Sequence, residues 1–197
     1  MTAAEAQRRP LAIVLIVTGA IGWYAAFALM VDKIAVLIDP GADLDCNISV
    51  LVQCGTNLAS WQGAILGFPN PILGLAGFVA PIAVGVALLA GASFARWFWI
   101  AFTIGVAGAF AFCLWLAYQS IFNLGSLCPW CMLVWSVTIP MFWMLTLANA
   151  REGRFGGGLV AVGERLYGWV PAITFAGYLI IAIVAQLRLD VLATLVG

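Results

Sequence analysis

The stretch CPWCMLVWSVTIPMFWMLTLA, residues 128–148, decides how this chain folds. It opens with two thiols, Cys128 and Cys131, three positions apart, and continues as an apolar run without a single charged side chain. A run of about 20 apolar residues is what one helical crossing of a bilayer requires. Pro129 suits the first helical position, where its missing N–H would have had no partner. Residues three apart in a first helical turn share a side, within disulfide reach. The helix start also carries partial positive charge, which favours a thiolate. The stretch therefore reads as a transmembrane helix headed by a redox-capable pair at the lipid boundary.

Four further runs of similar character lie outward from it, at 11–30, 72–92, 97–121 and 170–186. None shows the alternating ten-residue pattern of a membrane barrel, and backbone groups in hydrocarbon must be satisfied internally, so helices are expected. The fold class is all-α: a polytopic membrane bundle of four core helices plus a fifth. Composition agrees, since 65% of the 197 residues are hydrophobic and 8% charged, with a mean hydropathy of +1.12. Too few polar side chains exist to coat a soluble globule. Eight basic residues balance eight acidic ones, which gives no support to nucleic-acid binding. The absence of histidine argues against His-based zinc sites, haem ligation through His and His general-base catalysis. No metal site is expected.

The Arg8-Arg9 pair before the first run resembles a secretory signal, but no small-residue cleavage pattern follows, and the run is read as an uncleaved span. With a cytoplasmic N-terminus, Arg8, Arg9, Arg96, Arg151, Arg154 and Arg165 fall inside and Lys33 and Arg188 outside, as the positive-inside rule asks. The longest connection, 31–71, is then an outer loop capping the bundle, with a partial helix expected within 48–66. Three units follow: a four-helix core at 1–149, a cytoplasmic linker at 150–168 containing Gly156-Gly157-Gly158, and a fifth helix with its tail at 169–197.

Cys46 and Cys54 sit in the outer loop, on the side where cysteine pairs persist as disulfides. Two structural staples are the plain reading of the four outer cysteines. Two pairs on one face are also what an electron relay needs, because thiol–disulfide exchange proceeds only by attack of one sulfur on another. Zinc or iron–sulfur ligation fits poorly, since the eight-residue spacing of Cys46 and Cys54 matches neither common signature. Cys113, alone inside the third run, reads as a small buried hydrophobe.

In this order (first helix, loop pair Cys46 and Cys54, Ser60, Asn70, then a CxxC opening the fourth span) the chain resembles bacterial members of the vitamin K epoxide reductase family over its first four spans. The disulfide-bond formation protein B family orders its pairs the other way round. The resemblance implies a quinone-dependent thiol–disulfide oxidoreductase. Cys46 and Cys54 would accept electrons from a partner's thiols, Cys54 would attack Cys128, and Cys131 would face a quinone, menaquinone or ubiquinone. Asn70 would hydrogen-bond a quinone carbonyl, Ser60 would serve near the loop pair, and Trp135 would stand at the quinone pocket. By their own chemistry Ser60 and Asn70 are ordinary loop or cap residues, and the tryptophans are interfacial-belt residues.

Many bacterial members carry a fused thioredoxin-like domain, whereas this sequence stops at Gly197, so a separate extracytoplasmic thioredoxin-like (DsbA-like) donor is expected, working at a bacterial cytoplasmic membrane. A non-enzymatic channel or scaffold subunit with structural disulfides is the rival reading. A transporter would carry more polar groups inside its spans than Gln119 and Ser136 supply.

Overall fold

The structure, a computed structural model, describes residues 3–192, with side chains described from residue 8 onward. The tail assigned to the fifth helix beyond Leu192 lies outside the described residues. Five helices among those described are long and apolar enough to cross a membrane: Arg8–Ile38, Pro71–Leu89, Arg96–Leu124, Pro129–Arg151 and Val170–Leu189. The all-α membrane bundle read from the sequence is what the chain adopts.

Helix α1 (Ala3–Ile38) runs two turns further than the apolar stretch suggested. Asp32 and Lys33 ride on its last turns instead of belonging to the outer loop, and the helix ends where Asp39 precedes Pro40, a position that disfavours helical backbone. The loop beyond contains α2 (Gly55–Ala59) and a 3-10 turn at Trp61–Ala64, both within the stretch where a partial helix is expected. The second span divides into α3 (Pro71–Gly77) and α4 (Val79–Leu89). Pro81 has no N–H to offer the Gly77 carbonyl four residues back, which accounts for the break at Phe78.

Helix α5 (Arg96–Tyr118) continues into a π-helical turn at Gln119–Leu124, closed by Gly125 at φ +62°. Helix α6 (Pro129–Arg151) contains Pro140, which frees the Ser136 carbonyl; the Tyr178 hydroxyl of α8 (Val170–Leu189) donates to it. The interhelical bond thus fills a vacancy the proline creates. Between them, the 150–168 segment is more ordered than a linker, carrying a 3-10 turn at Gly157–Leu159 and α7 (Val160–Tyr167). A Cβ on Gly163 would lie 2.3 Å from the Arg151 nitrogen, so α7 lies directly against the end of α6. Arg151 then stacks over the Tyr167 ring, 4.1 Å from its centroid.

Helix α1 packs against α3, α4 and α6, and α5 packs against α6. Small residues make the α1 contact close: a Cβ on Gly22 would sit 2.4 Å from the Phe78 ring, and one on Gly85 2.8 Å from the Ala12 carbonyl. Lipid offers no hydrophobic drive between helices, so close approach and dispersion hold such a seam. At the end of the bundle opposite the outer loop, fully buried Asn149 donates to Thr103 at 2.6 Å and accepts from Arg154, whose guanidinium lies 3.9 Å over Trp99.

Candidate active site

The loop reaches the CxxC through backbone pairing. Leu127 N–H donates to Leu51 O at 2.8 Å and Gln53 N–H donates to Leu127 O at 3.1 Å, a single parallel bridge between Val52 and Leu127. Side chains reinforce it. The Ser126 hydroxyl donates to Gln53 O at 3.2 Å and accepts from Asn57 at 3.4 Å, while the Ser120 hydroxyl donates to Asn57 Oδ1 at 2.9 Å. Asn47 Oδ1 accepts from the Cys54 backbone at 3.1 Å, tightening the loop between the two cysteines.

This bridge puts the four predicted cysteines together. Cys46 and Cys54 form a disulfide with Cα atoms 5.7 Å apart. Cys128 and Cys131 are free, and Cys128 Sγ lies 3.3 Å from Cys54 Sγ across 74 residues of sequence. Cys54 and Cys128 are both fully buried, packed with Leu29, Leu44 and Leu58. A nucleophile and its target in contact inside a water-excluded pocket form an arrangement ready for thiol–disulfide exchange.

Cys128 is the N-cap of α6, its sulfur accepting from the Cys131 backbone N–H at 3.4 Å, with Pro129 at the first helical position as the sequence suggested. The hydrogen bond from the Cys131 thiol, followed by the backbone N–H groups of Cys131 and Trp130, pulls the Cys128 thiol below its ordinary range; burial and the Asp32 carboxylate oppose this without reversing it. The thiolate, the attacking form, is therefore easier to reach at Cys128 than at an unperturbed cysteine.

Behind Cys131 lies a cavity of about 620 Å³ among α1, α3, α4, α5 and α6. Cys131 borders it and Cys128 does not. Its size falls in the range of small-molecule sites, and its walls are mostly apolar with a few polar groups toward the loop. Ser60, Asn70 and Trp135 all line it. Asn70 accepts from the Ile65 backbone at 3.2 Å and donates to Gln62 O at 2.7 Å, closing the 62–70 turn and leaving its amide one further N–H to offer. The Ser60 hydroxyl donates to Asn57 O at 2.7 Å and caps the 3-10 turn by accepting from Gly63. Trp135 is buried and separates this cavity from a second of about 460 Å³ between α6 and α8.

Several residues here were given no role in the site by the sequence. Cys113 borders the cavity within 3.8 Å of the Thr138 hydroxyl. Gln62 and Gln119, buried and 3.4 Å apart, meet at the cavity's polar end. Asp32 touches Cys46, its Oδ2 3.3 Å from the sulfur. A single amide or carboxylate gives no sequence signal until its partner is known; only the placement of Asp32 on an extended α1 could have shown it.

No individual curated protein matches the sequence. The family model described as Vitamin K epoxide reductase family matches residues 13–146, a segment that contains the outer loop, all five cysteines and Trp135. With more than half of its length so matched, the chain belongs to the vitamin K epoxide reductase family and is a multi-pass membrane oxidoreductase.

Proposed function

We propose that the chain is a thiol oxidase that takes electrons from a thioredoxin-like protein and passes them through two cysteine pairs to a membrane quinone. The observation that carries this reading is the 3.3 Å contact between Cys54 and Cys128 sulfurs, one from each pair. A partner thiolate attacks Cys46, the Cys46–Cys54 bond breaks, and the electron pair leaves on Cys54. Release of the oxidised partner leaves Cys46 as a thiol. Cys54 then attacks Cys128 in its disulfide with Cys131, freeing Cys131 as a thiolate beside the cavity. Attack of Cys46 on Cys54 releases Cys128 and restores the loop disulfide. Two electrons have then moved from the partner to the CxxC, with the loop pair bonded again and Cys128 and Cys131 reduced.

The cavity suits a quinone, because its walls are apolar, Asn70 retains an N–H for a carbonyl, and Cys131 borders it. When bound, a quinone would accept two electrons and two protons and let Cys128 and Cys131 rejoin. Asn70 would orient it, Trp135 would close the wall, and Ser60 would hold the turn carrying both Asn57 and Gln62. We place the site on the outer face of a bacterial cytoplasmic membrane, with the N-terminus inside, and assign residues 1–149 to the catalytic core, 150–168 to a cytoplasmic connection and the remainder to an accessory span. The charge bias of the loops supports that orientation.

The test follows reduction of a soluble quinone analogue by absorbance, with a reduced thioredoxin-like donor and the detergent-purified chain. Reduction by the wild type that disappears in Cys131→Ser supports the oxidase. No reduction by the wild type, with both pairs inert to the donor, would mean a membrane protein with structural disulfides instead.

A further inference from the structure

The relay moves a proton at Cys46 twice in each cycle, onto the sulfur when Cys46 leaves the partner and off it when Cys46 attacks Cys54. A group beside Cys46 has to give that proton and take it back. Asp32 Oδ2 lies 3.3 Å from Cys46 Sγ. A disulfide sulfur carries no proton, so this contact is a hydrogen bond only if the carboxyl holds the proton or if Cys46 is a thiol. Both cases describe one proton shared between the same two atoms. The surroundings keep the carboxyl available for that exchange. Lys33, its neighbour in sequence, is directed away, its ammonium donating to Leu58 O at 2.7 Å. The Trp130 side chain, from inside the CxxC, hydrogen-bonds Asp32, and Asp45 is a second carboxylate within electrostatic range.

We propose that Asp32 is a catalytic residue of the relay, the general acid and base of Cys46. This rests on the thiol-oxidase reading above. When the partner's second thiolate attacks its own sulfur in the mixed disulfide, the partner–Cys46 bond breaks. The electron pair passes to Cys46 Sγ, and Asp32 delivers a proton to it, becoming a carboxylate. When Cys46 later attacks Cys54 in the Cys54–Cys128 disulfide, Asp32 takes the proton back as the Cys46–Cys54 bond forms. The electron pair of the broken bond leaves on Cys128. Asp32 ends the cycle as it began, and no further co-reactant is required. Its link to Trp130 places the proton-transferring group against both pairs, since Trp130 is the residue between Pro129 and Cys131.

The experiment isolates this internal step from any quinone. In full-length Cys131→Ser protein in detergent, Cys128 can attack Cys54 and expel Cys46, and excess maleimide captures the Cys46 thiol; acid quench and peptide mass mapping give the rate. Asp32→Asn should slow capture on the order of 10²-fold, the usual weight of a positioned acid or base, with Asp32→Glu recovering most of the rate. The same capture in the Cys131→Ser parent, whose Asp32 is intact, should run slower in D₂O than in H₂O. Capture as fast in Asp32→Asn as in the parent, or the same parent rate in both solvents, overturns the role of Asp32 and leaves the relay standing. Absence of capture in the parent overturns the relay, and this role with it.

Discussion

Ser126→Ala should loosen the outer loop from the head of α6 by an amount that can be worked from its contacts. The hydroxyl is buried, donates to Gln53 O at 3.2 Å and accepts from Asn57 at 3.4 Å. Alanine removes both bonds at little cost in volume. Asn57 keeps a weaker contact to the Ser126 carbonyl at 3.5 Å and its bond from Ser120, and Gln53 O is left without this donor. At about 1 kcal/mol net for each bond, the loss is about 1–2 kcal/mol. The parallel bridge opens locally, so its amides report this directly: protection of the Leu127 and Gln53 N–H groups against hydrogen exchange should fall roughly 5- to 30-fold. Amides in the middle of α6 should be unchanged. Equal protection in variant and wild type would refute the reasoning, because it would mean that the bridge holds Cys54 against Cys128 without this hydroxyl.

The pH dependence of Cys128 has a defined sign. Its pKa is lowered chiefly by the Cys131 thiol donor, and the thiolate is the reactive form, so Cys131→Ala should shift the alkylation profile of Cys128 to higher pH, read with a small haloacetamide across a pH series. Gly163→Val places a side chain where even a Cβ would meet the Arg151 nitrogen at 2.3 Å. It should cost about 1–3 kcal/mol and lower the melting temperature in detergent. Asn149→Ala strips an acceptor from Arg154 and a donor from Thr103 in a fully buried setting; a loss of about 1–3 kcal/mol for each group left unpaired should appear in the same melting experiment.

The five spans were legible because length and apolarity alone specify a membrane helix. The end of α1 was not, because Asp32 and Lys33 look like the start of an aqueous loop, whereas the backbone stops only at the Asp39–Pro40 step. The π-helical turn at Gln119–Leu124 left no mark in the sequence; its side chains are ordinary, and its geometry answers to Ser120 and Gln119 finding partners on the loop. Pro129 at the head of α6 was legible through local rules. The Cys54–Cys128 contact spans 74 residues and depends on a two-bond bridge that no periodicity announces, so only the order of the cysteine pairs pointed to it. Asn70, read both as turn punctuation and as a quinone ligand, does the first in the structure with two side-chain hydrogen bonds, and the quinone contact proposed for it rests on the remaining N–H of its amide.

The contact between Cys54 and Cys128 can be measured most directly in a Cys46→Ser, Cys131→Ser double variant, in which each sulfur has lost its own partner. Mild oxidation of the purified protein, followed by peptide mass mapping, should give an intramolecular Cys54–Cys128 disulfide in nearly every molecule. Recovery of both residues as free thiols, or linked only between molecules, would contradict the relay at its central step.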